Sequence, residues 1–367
     1  MREKESLRSI DGVPSIILDV VRLCAALAVF YIHSREIWFP NTLHDPESGG
    51  DIGQAIVMVL VVLSGYVIAY TALNRYKSAS EYGVARLSRI YSVLIPGLII
   101  SIISQVAISI HDPSVYGDFS VVNSILRYIL SASLLNQALF ISADPLVNGS
   151  LWTLSYEFMF YLLFGLWYYK CKTTKSKVIL IVGSVILIPK IVLLLPVWIL
   201  GTYAYRKRPL NIRPVLAYAI FVGLILLGYL FVLYCPPLPV PLRQKPLFYS
   251  GQFITDFCTG VFIAAAFFVL PNGKSVHHLI SEKAQLLIRK IGDLTYPIYV
   301  FHFPLLLLYR YFLIDYKAED YIQFYWGLLI VLLACICIGH FANKSRRLLN
   351  IVFSRLFGLI KSFGNNR

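Results

Sequence analysis

Charge is what this sequence has least of. Only 14% of its 367 residues are Asp, Glu, Lys or Arg, against about 25% in soluble domains, and that scarcity excludes an ordinary cytosolic enzyme. Stretches polar enough to build a solvated domain are missing too. The net charge of +14 therefore has no basic face on which nucleic acid could lie. Six cysteines are scattered without zinc-ligand or disulfide-framework spacing. Four of them, Cys24, Cys258, Cys335 and Cys337, sit inside apolar blocks as small packing residues, and no metal is expected. There is no internal repeat and no low-complexity tract. A cleavable leader is not expected either, because Asp19 and Arg22 interrupt the apolar stretch after MREKESLRSI and no small-residue cleavage site follows.

What the chain has in abundance is apolar: 58% hydrophobic residues and a mean hydropathy of +0.70, in blocks separated by short charged stretches. A bilayer crossing takes about 20 such residues. The expectation is an all-α, polytopic membrane helical bundle of about ten spans: 14–34, 52–72, 90–110, 150–169, 178–189, 191–205, 214–234, 252–270, 292–313 and 323–342. The stretch 178–205 is split into a hairpin at Pro189 and Lys190, which keeps KCKTTKSK and RKRPLNIR on one side. With that split, 25 of the 33 basic residues fall on one side of the membrane. The positive-inside bias then places both termini in the cytoplasm and the loops HDPESGGD and DYKAED outside. The apolar segment 121–141 is read as a re-entrant or interfacial helix on the outer side. The chain divides into a membrane domain, 1–343, and a short basic cytoplasmic tail, 344–367.

Ionisable groups inside spans are costly, which makes them functional candidates by default. The first span carries Asp19, Arg22 and His33. Eleven helical steps from Arg22 to His33 end about 20° past three full turns, so the two share a face about 16 Å apart along the axis. Asp19, three residues before Arg22, can pair with it; the pair either serves the site or only neutralises itself. Arg86 and Arg89, three apart at the cytoplasmic mouth of the third span, form a fork suited to phosphates, although positive-inside topology alone also accounts for two arginines there. Glu157 lies about two turns into the fourth span, near the expected depth of His33, where a carboxylate would raise the basicity of the imidazole and orient it. Asp256 enters from the same side and is read equally as a structural hydrogen-bond acceptor. A lone mid-span histidine such as His302 is ordinarily a packing residue. Ser64, in VVLSGYVI, suits close helix packing and lacks the strand-turn-helix context of a nucleophilic serine.

Taken together, these segments resemble the integral-membrane acyltransferase family 3, the O-acyltransferases that decorate bacterial surface glycans. The resemblance rests on LDVVRLCAALAVFYIHS, VLSGYVI, RLSR, SLWTLSYEFMFYL and IGDLTYPIYVFHFPL, in the family's order and over nearly the whole chain. It implies that His33 is catalytic and that Arg22, Arg86 and Arg89 serve the acyl donor. It also implies an acyl-CoA donor, most often acetyl-CoA, and an acceptor hydroxyl on a polysaccharide or lipid-linked glycan, at the bacterial cytoplasmic membrane. Many relatives carry a C-terminal esterase-like domain; none is expected here. Whether His33 acts as base or is itself acylated stays open. The rival class is a transporter or flippase without chemistry, whose path would run through Asp19, Arg22, Glu157 and His302, but no matched pair of broken helices supports it.

Overall fold

The computed structural model describes residues 8–10, 12–40, 50–116, 120–272, 281–313 and 315–365. The N-terminal basic residues Arg2 and Lys4, most of the acidic loop His44 to Asp51, and Lys274 of the basic stretch 271–290 lie outside the described residues. The described residues form twelve α-helices and contain no strand. They are α1 (Val13–Trp38), α2 (Ile52–Asn74), α3 (Ala79–His111), α4 (Val121–Ala132), α5 (Trp152–Gly165), α6 (Thr174–Leu187), α7 (Pro189–Arg206), α8 (Pro214–Tyr234), α9 (Phe253–Val269), α10 (Glu282–Gly292), α11 (Thr295–Phe312) and α12 (Tyr321–Asn365). Among the described residues six stretches are long and apolar enough to cross a membrane: α1, α2, α3, α8, the α10–α11 stretch from Lys283, and α12. The chain spans the membrane.

Two compact units form. One contains Met1–Val29, His44–Arg75 and Val192–Asp293; the other contains Phe30–Leu43, Tyr76–Ile191 and Leu294–Arg367. In the first, α2, α8 and α9 pack together, and α2 meets α7 at Gly65 and Gly201. Hydrogen bonds tie the helix ends at both levels. At one end Gly50 N–H donates to the Val232 carbonyl at 2.8 Å, Gln54 Nε2 to the Tyr249 carbonyl at 3.0 Å, and the Thr255 hydroxyl to the Pro236 carbonyl at 2.8 Å. At the other end sits Arg8, 3% exposed. It donates to the Phe267 and Phe268 carbonyls at 3.0 and 2.7 Å and to the Tyr66 hydroxyl at 3.2 Å. Tyr205 donates to the Arg8 carbonyl and receives Asn74 Nδ2. Arg8 thus caps the C-terminus of α9, where exposed carbonyls and the helix dipole favour a cation. The same bonds show that α9, about 25 Å long, runs between the two ends that α2 connects.

In the second unit α3 lies between α11, α12 and α5. It runs alongside α11 in the same direction: Arg89 covers Tyr296, Gly97 touches Val300 and His111 stacks on Phe312. The last helix runs the opposite way, with Gly339 against Pro297 and Phe353 against Tyr91. It continues unbroken past Lys344 to Asn365, so the basic segment is a helical extension lying along the first turns of α3. Helix α4 is 12 residues long, about 18 Å, too short to cross, and Tyr128 and Ser124 tie it to Gln105 of α3. Residues 133–148 fold as turns over a buried polar network. Asn136 and Gln137 donate to the Asp144 carboxyl at 2.5 and 2.8 Å, and Lys190, fully buried at the start of α7, donates to Gln137 Oε1 at 2.5 Å. Burial pushes the Asp144 carboxyl up to about 6, against the pull of its amide donors. The helix breaks at Ile188, where the sequence places its hairpin corner.

Candidate functional site

The end of α1 carries His33, and the middle of α11 brings His302 to it. His33 Nδ1 and His302 Nε2 are 2.7 Å apart. The rings are nearly coplanar, at 14°, the orientation an in-plane N–H to lone-pair bond requires. The protons can be assigned by elimination. His302 Nδ1 lies 2.9 Å from the Ile298 carbonyl, which can only accept, so Nδ1 carries the hydrogen. A neutral imidazole has one N–H, which makes His302 Nε2 the acceptor and His33 Nδ1 the donor. With both rings neutral, the remaining lone pair of the pair is on Nε2 of His33. His302 is fully buried while His33 is partly exposed, and Phe30 and Phe303 pack edge-on against the pair. His302 is thus bonded to His33 where the sequence suggested mere packing. The two are 269 residues apart in the chain, and no local pattern links them.

A second cluster surrounds the arginines of α3. Arg86, buried to 6%, lies over the rings of Tyr76, Tyr82 and Tyr161 at 5.3–5.8 Å and donates to the Tyr76 hydroxyl at 3.0 Å. The Arg89 guanidinium covers Tyr296 at 5.2 Å. Stacking on phenol faces suits a weakly hydrated, planar cation. The hydroxyls of Tyr161 and Tyr296 both donate to the Glu157 carboxylate. Tyr296 precedes His302 by six residues, about 9 Å of helix rise. These bonds join Glu157 to the arginine cluster, a level away from the one at which the sequence placed it beside His33. None of the four tyrosines stands out in a chain with 25 of them.

The remaining candidates have their own partners in the first unit. Arg22 pairs with Asp19 at 3.1 Å, as the i,i+3 spacing predicts, and donates to the Gly292 carbonyl at 2.9 Å, the last residue of α10. Asp256, 1% exposed, accepts from Gln252 at 2.9 Å and from Gln54 at 3.1 Å, the structural hydrogen bonding offered as its second reading. Ser64 accepts from the Trp198 indole at 3.3 Å. An indole N–H donates and cannot take the proton of a serine, so this contact gives no activation. Among the described residues no three His, Cys, Asp or Glu side chains gather as a metal site.

Against known proteins, residues 15–341 match the family described as "Acyltransferase domain". A curated relative, Acyltransferase MdmB of Streptomyces mycarofaciens, is 29% identical over 157 residues, 41% of this chain. That match covers only 38% of the relative's own length. No solved structure matches. With the family match running from α1 into the first half of α12 and taking in both clusters, the chain belongs to acyltransferase family 3.

Proposed function

We propose that this protein is a membrane O-acyltransferase of the bacterial cytoplasmic membrane. It moves an acyl group, acetyl in the simplest case, from cytoplasmic acyl-CoA to a hydroxyl of a surface polysaccharide or lipid-linked glycan. The observation that carries this reading is the His33–His302 pair, in which His302 fixes the tautomer of a partly exposed His33 so that Nε2 is its unprotonated nitrogen. His33 Nε2 takes the proton of the acceptor hydroxyl, and the oxygen attacks the thioester carbonyl. The new C–O bond forms as the C–S bond breaks, and the departing CoA sulfur receives the proton from His33. Arg86 and Arg89 hold the donor phosphates, as the resemblance implies and as their charge and geometry allow, and Arg22 serves the donor on the resemblance alone. The basic loops and both termini face the cytoplasm.

Purified protein in detergent should release CoA from radiolabelled acetyl-CoA when acceptor glycan is added. A transporter without chemistry would release none. Arg89→Ala should weaken acyl-CoA binding by roughly 10–100-fold, the equivalent of about 1.5–3 kcal/mol for a charge-assisted contact, while exposed Lys77→Ala should change it little. Equal losses from both would mean a diffuse basic patch. Arg86→Ala should also lower folding yield, because the guanidinium fills a tyrosine-lined site. Glu157→Gln tests the level of the carboxylate. It should weaken donor binding through Tyr161 and Tyr296 and leave the pH profile of transfer in place. A displaced profile with unaltered donor binding would put Glu157 to work on His33 instead.

A further inference from the structure

We propose that Asn148 is a positioning residue for the histidine pair, an assignment that rests on His33 being the base. Pro304 lies inside α11 and has no N–H, so the carbonyl four residues earlier, that of Val300, loses its helical donor. Val300 is fully buried, where water cannot take over, and an unpaired carbonyl there is costly. Asn148, also fully buried, supplies the missing hydrogen: its Nδ2 donates to the Val300 carbonyl at 3.1 Å and to Ser101 Oγ on α3 at 3.0 Å. Ser101 in turn donates to the Gly97 carbonyl at 2.7 Å. Asn148 Oδ1 meets no donor among the described residues, so the amide is held by its two N–H groups.

The location of this repair decides its consequence. His302 sits between the carbonyl that Asn148 serves and the proline that deprived it, and its own Nδ1 is bonded to Ile298 one turn earlier. The opened turn therefore sets where the His302 ring points, and His302 Nε2 sets the tautomer and direction of His33. Asn148, four residues ahead of α5 and outside every titrating group, ties that turn to α3.

The test is a cycle of Asn148→Ala and Pro304→Ala in the full-length protein, because alanine at 304 restores the N–H that Val300 lacks. Asn148→Ala alone should lower kcat on the order of 10²-fold, the scale of an ångström-level misplacement of a catalytic group. The KM for acyl-CoA should stay put, and the midpoint of kcat against pH should move. Asn148→Asp, which keeps the shape and removes the N–H groups, should behave the same way. In the Pro304→Ala background the added Asn148→Ala should cost less than about tenfold. A cost equal in both backgrounds, with the pH profile unmoved, would overturn the proposal, and so would a double variant that neither folds nor transfers. The thermal midpoint read on the same four proteins separates the two ideas: a coupling that persists there while His33→Ala stays active would remove the base and leave the Asn148–Pro304 linkage standing.

Discussion

Alanine in place of His33 should reduce acyl transfer by about 10²–10⁴-fold, the contribution of a positioned acid-base group, while the protein still accumulates in the membrane. The side chain lies near the end of α1, partly exposed, and its loss leaves no buried charge. His302→Ala should give a smaller loss, because the base remains but its tautomer and direction are no longer fixed by a partner at 2.7 Å. His302→Gln should recover part of it, since a side-chain carbonyl can accept the His33 Nδ1 hydrogen as an imidazole nitrogen does. The sign of the pH dependence follows from the role. A base must be unprotonated, so transfer falls as the pH is lowered through the titration of the pair and recovers as it is raised. Initial rates against pH for the parent and the two His302 variants check this. Full transfer by His33→Ala, with the glycan still modified, would end the mechanism and bring the transporter reading forward.

What the sequence could reveal here was set by distance along the chain. Patterns with a period of a few residues are readable: the apolar blocks, the Asp19–Arg22 pair and the break near Pro189 all depend on residues close in the chain. His33 itself stood out because an ionisable group in a span must be explained. Its partner did not, since a lone histidine in an apolar helix has many innocuous explanations and only packing brings α11 against α1. The same holds for Glu157: its position in the fourth span suggests a neighbour of His33, while its two hydroxyl donors join it to the arginine cluster. Buried polar groups were the hardest to foresee. In the sequence Lys190 marks a helix break and Arg8 is one basic residue among 33, yet both are nearly or fully buried and bonded to carbonyls. Asn148 had a local clue, a proline in α11 that leaves one carbonyl without its donor, but finding the side chain that answers it required the fold.

A second large effect is expected in the first unit, at the meeting of α2 and α7. A Cβ on Gly201 would stand 1.9 Å from the Val62 carbonyl oxygen, and one on Gly65 would stand 2.1 Å from that of Trp198. The contacts are reciprocal, each glycine facing the backbone of the other helix, and small residues at such positions are what lets membrane helices approach this closely. The obstacle in both cases is main chain, which has no rotamer to change. Gly201→Val should therefore cost at least the ~1–3 kcal/mol of ordinary overpacking, a large share of the ~5–15 kcal/mol that holds a typical domain together. Monodisperse protein should be largely lost on size exclusion, and any that survives should unfold at a clearly lower temperature. Gly65→Val should match it, because the two helices are parted by either substitution. Gly223→Ala in α8 supplies the comparison: its Cβ would meet nothing within 4 Å, so stability should hold or rise slightly as alanine replaces a poor helix former. If Gly201→Val and Gly223→Ala unfolded alike, the close approach of α2 and α7 would not be what holds this unit together.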